Sequence, residues 1–161
     1  MDAIAKLVAI EEIKQLKGRY FRFVDTQDWE AMTQVFCRDA VWDCSEGTRV
    51  TPKGGAPVGP VGPVIEGREA VMAWISESFR DAVSVHRGSC HEVTIDSPTE
   101  AHGVIAMEDI ILSPDRRTRV LEGSGHYHEQ YRFEDGAWRI ARTRLTRLLI
   151  EFDQQFIDSV T

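Results

Sequence analysis

Residues 127–140 read YHEQYRFEDGAWRI, and this stretch decides the fold. Its aromatic residues before the turn share one phase of the two-residue strand period. The Glu-Asp-Gly turn that follows carries an Asp-Gly pair, a strong signal for a tight hairpin between two extended segments. The stretch therefore predicts two antiparallel strands, at residues 119–133 and 138–150.

Two more extended segments precede the hairpin, at residues 83–95 and 101–112, and both are rich in β-branched residues. Asp96-Ser97-Pro98 separates them, and Ser113-Pro114-Asp115 separates the second one from the hairpin. Runs of Asp, Ser and Pro are typical of turns. The chain from residue 83 onward is therefore predicted to form four consecutive antiparallel strands.

The first part of the chain carries a helical pattern instead. Between residues 4 and 24, apolar side chains recur every three or four positions, and Lys17 is assigned to the opposite, polar face. Asp28 is a candidate cap for a second, short helix, after which a strand is predicted to begin near Ala40. A third helix is predicted over residues 68–82.

Residues 45–65 are rich in glycine and proline, in runs such as PKGGAP and GPVGP, which argues against regular structure there. A loop of this length is either a passive excursion, or a lid or subunit contact. Residues 151–161 are predicted to form a short closing segment over the sheet. Helices followed by a meander indicate one α+β domain, residues 1–161, whose curved sheet wraps on the first helix.

The composition excludes several classes of function. The chain has 26 Asp and Glu against 19 Lys and Arg, a net charge of -7, which is unsuited to a phosphate backbone, so no nucleic acid partner is predicted. No apolar run reaches the roughly 20 residues of a membrane helix, and the N-terminus does not resemble an export signal. The three cysteines are scattered without C-x-x-C spacing, so neither a disulfide framework nor a thiolate zinc site is expected. We therefore expect a cytoplasmic protein without a membrane partner.

Strand parity identifies polar residues that face the interior. Asp109 shares a phase with apolar neighbours in residues 101–112, and Arg147 does so in the last strand. Tyr127 lies in the aromatic phase of the strand between them. These three residues are predicted to form a polar cluster inside a largely apolar, substrate-binding pocket. The alternative is a buried structural ion pair.

Two other residues are candidates for chemistry only if the fold brings them together. Asp25 ends the first helix within VDTQDW, where an aspartate also organises turns, and His86 follows much later in the chain as a lone histidine. Spacing alone does not join them. His126 and His128 share a strand face but have no third ligand at a fixed spacing, so no metal is predicted.

Four stretches of the chain resemble the SnoaL-like branch of the NTF2-like superfamily. They are IEEIKQLKGRYFRFVDTQDW at 10–29, VHRG at 85–88, VTIDSPTEA at 93–101 and YHEQYRFEDGAWRI at 127–140. Within that branch the chain resembles bile-acid 7α-dehydratases and, more distantly, scytalone dehydratase and hexachlorocyclohexane dehydrochlorinase. The resemblance implies the cone-shaped NTF2-like α+β fold, with N-terminal helices packed on one curved, mostly antiparallel sheet.

The resemblance also implies roles for five residues. Asp25 and His86 fall on the catalytic dyad, in which the carboxylate holds the imidazole and the imidazole takes a proton. Tyr20 falls on a pocket tyrosine, expected at the pocket rim, where it would hydrogen-bond the substrate oxygen or the leaving hydroxyl. Asp109 falls on a strand aspartate and Arg147 on a late-strand arginine of the same pocket.

The function implied is that of a cofactor-independent dehydratase, lyase or isomerase, in the manner of the polyketide cyclase-like enzymes. Its substrate is expected to be a small hydrophobic hydroxylated ring compound, such as a steroid, a polyketide or an aromatic catabolite. Val24 stands where scytalone dehydratase has a tyrosine, and Tyr20 stands where the dehydrochlorinase has a lysine. These two differences argue against the substrates of those two enzymes. The alternative is a non-catalytic ligand-binding or subunit-type module, like the small subunit of ring-hydroxylating dioxygenases. A homo-oligomer, a trimer or a dimer, is expected because one face of a single sheet needs cover.

Overall fold

A computed structural model describes residues 1–50, 55, 56 and 58–153 of the chain. The first helix, α1, runs from Ala3 to Thr26. Asp2 caps its N-terminus, and the carboxylate of Asp2 accepts the backbone N–H of Ala5 at 2.8 Å. It ends because Gln27 takes the left-handed conformation, with φ of 56°, and donates its N–H to the last carbonyls of the helix. Its apolar stripe is buried against the sheet, as the sequence predicted.

Two shorter helices complete the helical layer. Helix α2, Trp29–Met32, is capped by the side chain of Asp28, as predicted, and continues into a 3₁₀ turn at Thr33–Val35. Helix α3, Arg68–Ser78, ends four residues earlier than the predicted helix.

Within the described part of the chain, six strands form one open sheet in the order β2-β1-β6-β5-β4-β3. The strands are β1 (Phe36–Asp43), β2 (Val64–Glu66), β3 (Val83–Ile95), β4 (Glu100–Leu112), β5 (Arg119–Glu134) and β6 (Ala137–Phe152). Strand β1 is parallel to β6, and every other neighbouring pair is antiparallel. The predicted four-strand meander is therefore confirmed, with bounds that differ by two residues or fewer. The helices packed on this curved, mostly antiparallel sheet make the predicted α+β fold.

The structure corrects two expectations about the segments before the meander. Strand β1 begins at Phe36 instead of near Ala40, because Phe36 already pairs with Ile140 of β6. The region predicted to lack regular structure contains the start of β2 at Val64, which pairs with Asp43. In the same loop, Val50 forms isolated bridges with Val58 and with Arg147 of β6.

Leu149 and Phe133 are more exposed than the alternation along their strands predicted. Leu149 was expected to share the buried phase of Arg147, but it is 47% exposed, because β6 carries an extra residue opposite the step from Ser124 to Gly125. Phe133 shares the phase of the buried tyrosines of β5, as expected, but it is 40% exposed because it lies at the end of the strand, where the sheet stops. A bulge shifts every later side chain to the other face.

The predicted closing segment at 151–161 lies largely outside the described residues. Its first two residues belong to β6, which extends to Phe152. Along the part of the chain that is described, we find no helix with the length and apolarity needed to span a bilayer.

Candidate active site

The carboxylate of Asp25 joins the end of α1 to strand β3. Its Oδ2 accepts the backbone N–H of His86 at 2.8 Å, and its Oδ1 accepts the hydroxyl of Ser84, also at 2.8 Å. Oδ1 lies 2.7 Å from Nδ1 of the His86 ring. The structure therefore brings together the two residues that spacing alone could not join. Ser84 is a further member of this group that sequence reasoning missed, although it shares the strand phase of His86.

The ring of His86 is held between two aromatic side chains. It stacks on Phe21 with ring centres 6.3 Å apart, and the edge of Phe79 approaches it at 5.4 Å. Its side chain is only 4% exposed. Because Nδ1 faces Asp25, the opposite nitrogen, Nε2, is the one available to a ligand.

Two adjoining cavities lie beside the dyad. His86 and Phe21 are on the wall of the larger one, which has a volume of about 670 Å³. Asp109 borders the smaller one, of about 210 Å³, which no dyad residue lines, and the two cavities share Arg87, Glu108 and Ser124. The larger volume is in the range of pockets that hold small organic ligands. The dyad histidine is thus next to space that a ring compound would fit.

Asp109 and Arg147 form a buried, bidentate ion pair. Nη1 of Arg147 donates to Oδ1 of Asp109 at 2.7 Å, and Nη2 donates to Oδ2 at 2.8 Å. Burial alone would lower the pKa of Arg147, but the bonds to Asp109 outweigh it and the pKa is raised. Asp109 is the direct cross-strand partner of His86, so the pair adjoins the dyad on the same sheet face. Both residues face inward as parity predicted, and they bind each other, which is the alternative that the sequence left open.

Strand β5 lies between Asp109 and Arg147 and carries glycine where their side chains cross it. A Cβ on Gly123 would lie 2.6 Å from Nη1 of Arg147 and 2.9 Å from Oδ1 of Asp109. The loop before β2 covers the guanidinium from the other side, since Nε of Arg147 donates to the carbonyl of Gly47 at 2.8 Å. This arrangement could not be predicted from the sequence, because it depends on which strand separates the partners.

Tyr20 lies deeper than the sequence led us to expect. It is 2% exposed and packs against Trp42 and Tyr127, so it is in the core and not at a pocket rim. The rings of Tyr20 and Tyr127 meet edge to face, with their centres 6.0 Å apart. Burial raises the pKa of both phenols, so both stay neutral and able to donate. Neither these tyrosines nor Arg147 lines either cavity wall.

Lys17 was wrongly assigned to the polar face of α1, since its side chain is fully buried. Its ammonium donates to Oε1 of Glu129 at 2.6 Å and lies 4.0 Å from the ring centre of Tyr20 and 3.5 Å from that of Tyr127. Steps of four, three and four residues connect Ile13, Lys17, Tyr20 and Val24, which places Lys17 on the buried stripe.

Glu129 was also missed, although it lies in the same β5 phase as the two buried tyrosines. Its carboxylate accepts the hydroxyls of Tyr131 at 2.6 Å and Thr143 at 3.1 Å, in addition to the ammonium of Lys17. Every oxygen of this buried carboxylate is therefore hydrogen-bonded. The alternation that predicted an inward side chain for Asp109 predicts one for Glu129 as well.

Of the two histidines considered for a metal, His126 is on the wall of the same cavity as His86. The rings of His126 and His128 have centres 6.3 Å apart, and Nε2 of His128 lies 3.0 Å from the Thr146 hydroxyl. Within residues 1–50, 55, 56 and 58–153, no group of three or more His, Cys, Asp or Glu side chains is arranged to hold a metal ion. Independence from metals and cofactors remains a prediction. All three cysteines are free.

These features define a small α+β protein in which a helical layer covers a curved sheet and an Asp–His pair adjoins a cavity that is open to solvent. The chain belongs to the SnoaL-like domain family, whose model matches residues 5–144, and its fold is the NTF2-like one.

Several solved structures are similar to it. A protein of Novosphingobium aromaticivorans assigned as a scytalone dehydratase has 18% identity and a TM-score of 0.73 over 92% of this chain and 89% of that one. A protein of the same organism assigned as an aromatic ring hydroxylase has 19% identity and a TM-score of 0.76 over 93% and 96%. A hexachlorocyclohexane dehydrochlorinase of Novosphingobium barchaimii has 15% identity and a TM-score of 0.71 over 95% of each chain. At these identities the likeness shows the fold.

Proposed function

We propose that this protein is a cofactor-independent lyase, a dehydratase or an isomerase, that acts on a small hydrophobic hydroxylated ring compound. The observation that carries the proposal is the 2.7 Å contact between Asp25 and the Nδ1 of a nearly buried His86 beside a cavity. Dehydratase and dehydrochlorinase assignments among the similar structures support the reaction class. We propose that the whole chain acts as one domain.

In this proposal His86 is the general base and Asp25 its orienting partner. Asp25 accepts the proton on Nδ1, which presents the unprotonated Nε2 to the substrate, and its charge stabilises the imidazolium that forms. In a dehydration, Nε2 takes a proton from carbon, the C–H electrons form the new double bond, and the C–O bond breaks. The departing hydroxide leaves as water with the proton that His86 accepted. In an isomerisation, His86 returns the proton to a different carbon.

The remaining polar residues would bind and position the substrate. Tyr20 and Tyr127 are neutral donors inside the cone, and we propose that they hydrogen-bond the substrate oxygen when a ligand enters. Asp109 and Arg147 are proposed to shape the site beside His86 as a fixed ion pair. The aromatic side chains of Phe21 and Phe79 give that site its apolar surface.

The test is a turnover assay on a panel of hydroxylated steroids and polyketide-type ring compounds, followed by the loss of one water or by the shift of a double bond in mass and absorbance spectra. We expect His86→Ala and Asp25→Asn each to lower turnover by about two to four orders of magnitude with little change in ligand binding. The double variant should be hardly slower than either single one, because the two residues act as a unit.

The chain offers a matched control in a second His–Asp pair. Nδ1 of His102 lies 2.8 Å from Oδ2 of Asp96, but both side chains are exposed and remote from the dyad. His102→Ala and Asp96→Asn should therefore keep full turnover. A His86→Ala protein that folds, binds the ligand and turns over at the unaltered rate would show that the dyad is structural.

The second candidate is a non-catalytic ligand-binding or subunit-type module. The fold similarity to the protein assigned as an aromatic ring hydroxylase supports it. In that case a large subunit should co-purify with the chain from its native source, and no member of the substrate panel should be converted.

A further inference from the structure

A second cleft lies between α1 and the start of β6. Its volume is about 380 Å³, and its apolar wall includes Leu16 and Phe23 of α1 together with Val35 and Trp138. Leu16 and Phe23 are about two helical turns apart, so they lie on one face of α1. Among the described residues, this cleft shares none of its wall with the cavity beside His86. It is therefore a separate space, and the reaction proposed above does not use it.

Arg139 brings a buried positive charge to the wall of this cleft, since the residue is only 8% exposed. Its Nη1 donates to the backbone carbonyl and to the side-chain oxygen of Gln34, and its Nε donates to the carbonyl of Glu134 at 3.3 Å. All three acceptors are uncharged, and within the described part of the chain Arg139 forms no ion pair. A buried charge ordinarily has an opposite charge beside it. These acceptors therefore fix the guanidinium and leave its charge uncompensated.

One nitrogen of this guanidinium is left for a ligand. A guanidinium has five N–H donors, and two of them are on Nη2. Nη2 of Arg139 has no acceptor in residues 1–50, 55, 56 and 58–153. It is not a fully buried atom, so a molecule in the cleft can reach it. A carboxylate oxygen is among the strongest acceptors for such a charged donor.

The other charges around the cleft also favour an anion. Arg19 is a second wall residue, and it is exposed and has no hydrogen bond or ion pair among the described residues. The two carboxylates of the neighbouring β5–β6 turn have other partners. Glu134 pairs with Arg132 at 3.1 Å, and Asp135 pairs with Arg38 at 3.0 Å. The described wall thus contains two cations, no acidic residue and an apolar surface.

From this arrangement we propose that the cleft is a second ligand site, which binds a small aromatic carboxylate. The carboxylate pairs with Nη2 of Arg139 and with Arg19, and the ring packs on Phe23 and Trp138. The pairing supplies the counter-ion that Arg139 lacks, and the apolar wall removes the ring from water. The volume is at the lower end of the range for ligand pockets, which suits one or two fused rings. The inference does not depend on the reaction proposed for His86.

The experiment compares two probes that differ in charge and hardly in shape. At pH 7, 2-naphthoate is ionised and 2-naphthamide is neutral, and calorimetry measures the affinity of each. We expect the unaltered protein to bind naphthoate at least about tenfold more tightly than naphthamide, because a hydrogen bond between two charged groups is stronger than one to a neutral amide.

Arg19→Gln and Arg87→Gln form a matched pair that locates the bound probe. Both arginines are exposed, but Arg19 is on the wall of the second cleft and Arg87 is on the wall of the cavity beside His86. At low ionic strength Arg19→Gln should weaken the binding of naphthoate by at least about threefold, and Arg87→Gln should leave it unaltered. Arg139→Gln should weaken it by at least about tenfold and should change the affinity for naphthamide by less than about threefold.

Equal binding of the two probes to the unaltered protein would overturn the proposal, as would failure of naphthoate to bind. An affinity for naphthoate that Arg19→Gln does not lower, or that Arg87→Gln lowers as much, would overturn it too, because the probe would then lie elsewhere. These outcomes decide the matter even if Arg139→Gln does not fold, since Arg19 and Arg87 are both at the surface. Selective binding of naphthoate without any turnover on the substrate panel would refute the proposed reaction and leave the second site standing.

Discussion

Gly123→Ala is the substitution whose consequence the structure defines most sharply. Gly123 lies in β5 between Asp109 and Arg147, and its φ is not positive, so an alanine backbone fits the position without strain. The obstacle is space. The new methyl carbon would lie 2.6 Å from Nη1 of Arg147 and 2.9 Å from Oδ1 of Asp109, so the ends of both side chains would have to move.

The guanidinium of Arg147 cannot move without weakening several hydrogen bonds. Its Nε is bonded to the carbonyl of Gly47 and its two terminal nitrogens to Asp109, so a shift of the guanidinium loosens several bonds together. Loss of one partner from a buried ion pair costs about 3–5 kcal/mol. Replacing glycine by alanine returns about 0.4–1 kcal/mol by restricting the unfolded chain. We therefore expect Gly123→Ala to lower the free energy of unfolding by about 2–4 kcal/mol.

Urea unfolding, followed by tryptophan fluorescence, measures this change. Gly18→Ala is the control, because a Cβ there meets nothing within 4 Å and alanine is the better helix former by about 0.5–1 kcal/mol, so that variant should be slightly more stable. In an Arg147→Met background, Gly123→Ala should cost at least about 1 kcal/mol less than in the unaltered protein. A cost below about 1 kcal/mol for Gly123→Ala alone would refute the reasoning, since the ion pair would then tolerate the methyl group.

Three further predictions concern other parts of the molecule. Lys17→Met should lower the free energy of unfolding, measured in urea, by about 3–5 kcal/mol, because it leaves Glu129 buried and unpaired. Adding Glu129→Gln should recover part of that loss. A double variant less stable than the single one would contradict this prediction. With Ellman's reagent at pH 8, one thiol of the native protein, the exposed Cys90, should react fast, and three should react fast in the unfolded protein. The reason is that burial raises the pKa of the other two thiols, to about 11 for Cys37. Three fast-reacting thiols before unfolding would contradict the burial of Cys37 and Cys44. Light scattering should give two or three times the monomer mass of 18.2 kDa. Apolar side chains of the sheet, such as Leu148 at 62% exposure, remain uncovered in the single chain and need a partner surface. A measured mass near 18.2 kDa would exclude the oligomer.

The sequence by itself determined the elements of this protein and the phase of most side chains. Period-two alternation placed Asp109 inward on β4, and the Asp-Gly turn located the β5–β6 hairpin within two residues. Such local patterns are reliable because each depends only on residues a few positions apart. The same counting would have turned Glu129 inward and put Lys17 on the buried stripe.

Phase predictions failed where a bulge intervened. Leu149 is exposed because β6 carries an extra residue between it and Arg147. A bulge is set by how two strands fit together, and one strand's alternation does not reveal it.

The candidate site itself was decided by the tertiary structure. Asp25 and His86 are 61 positions apart in the chain, and they meet only because the end of α1 packs against β3. The pairing of Asp109 with Arg147 likewise depends on the glycine of β5 that lies between them. Contacts of this kind join elements that are distant in sequence, and side-chain type at a single position does not encode the partner that packing brings to it.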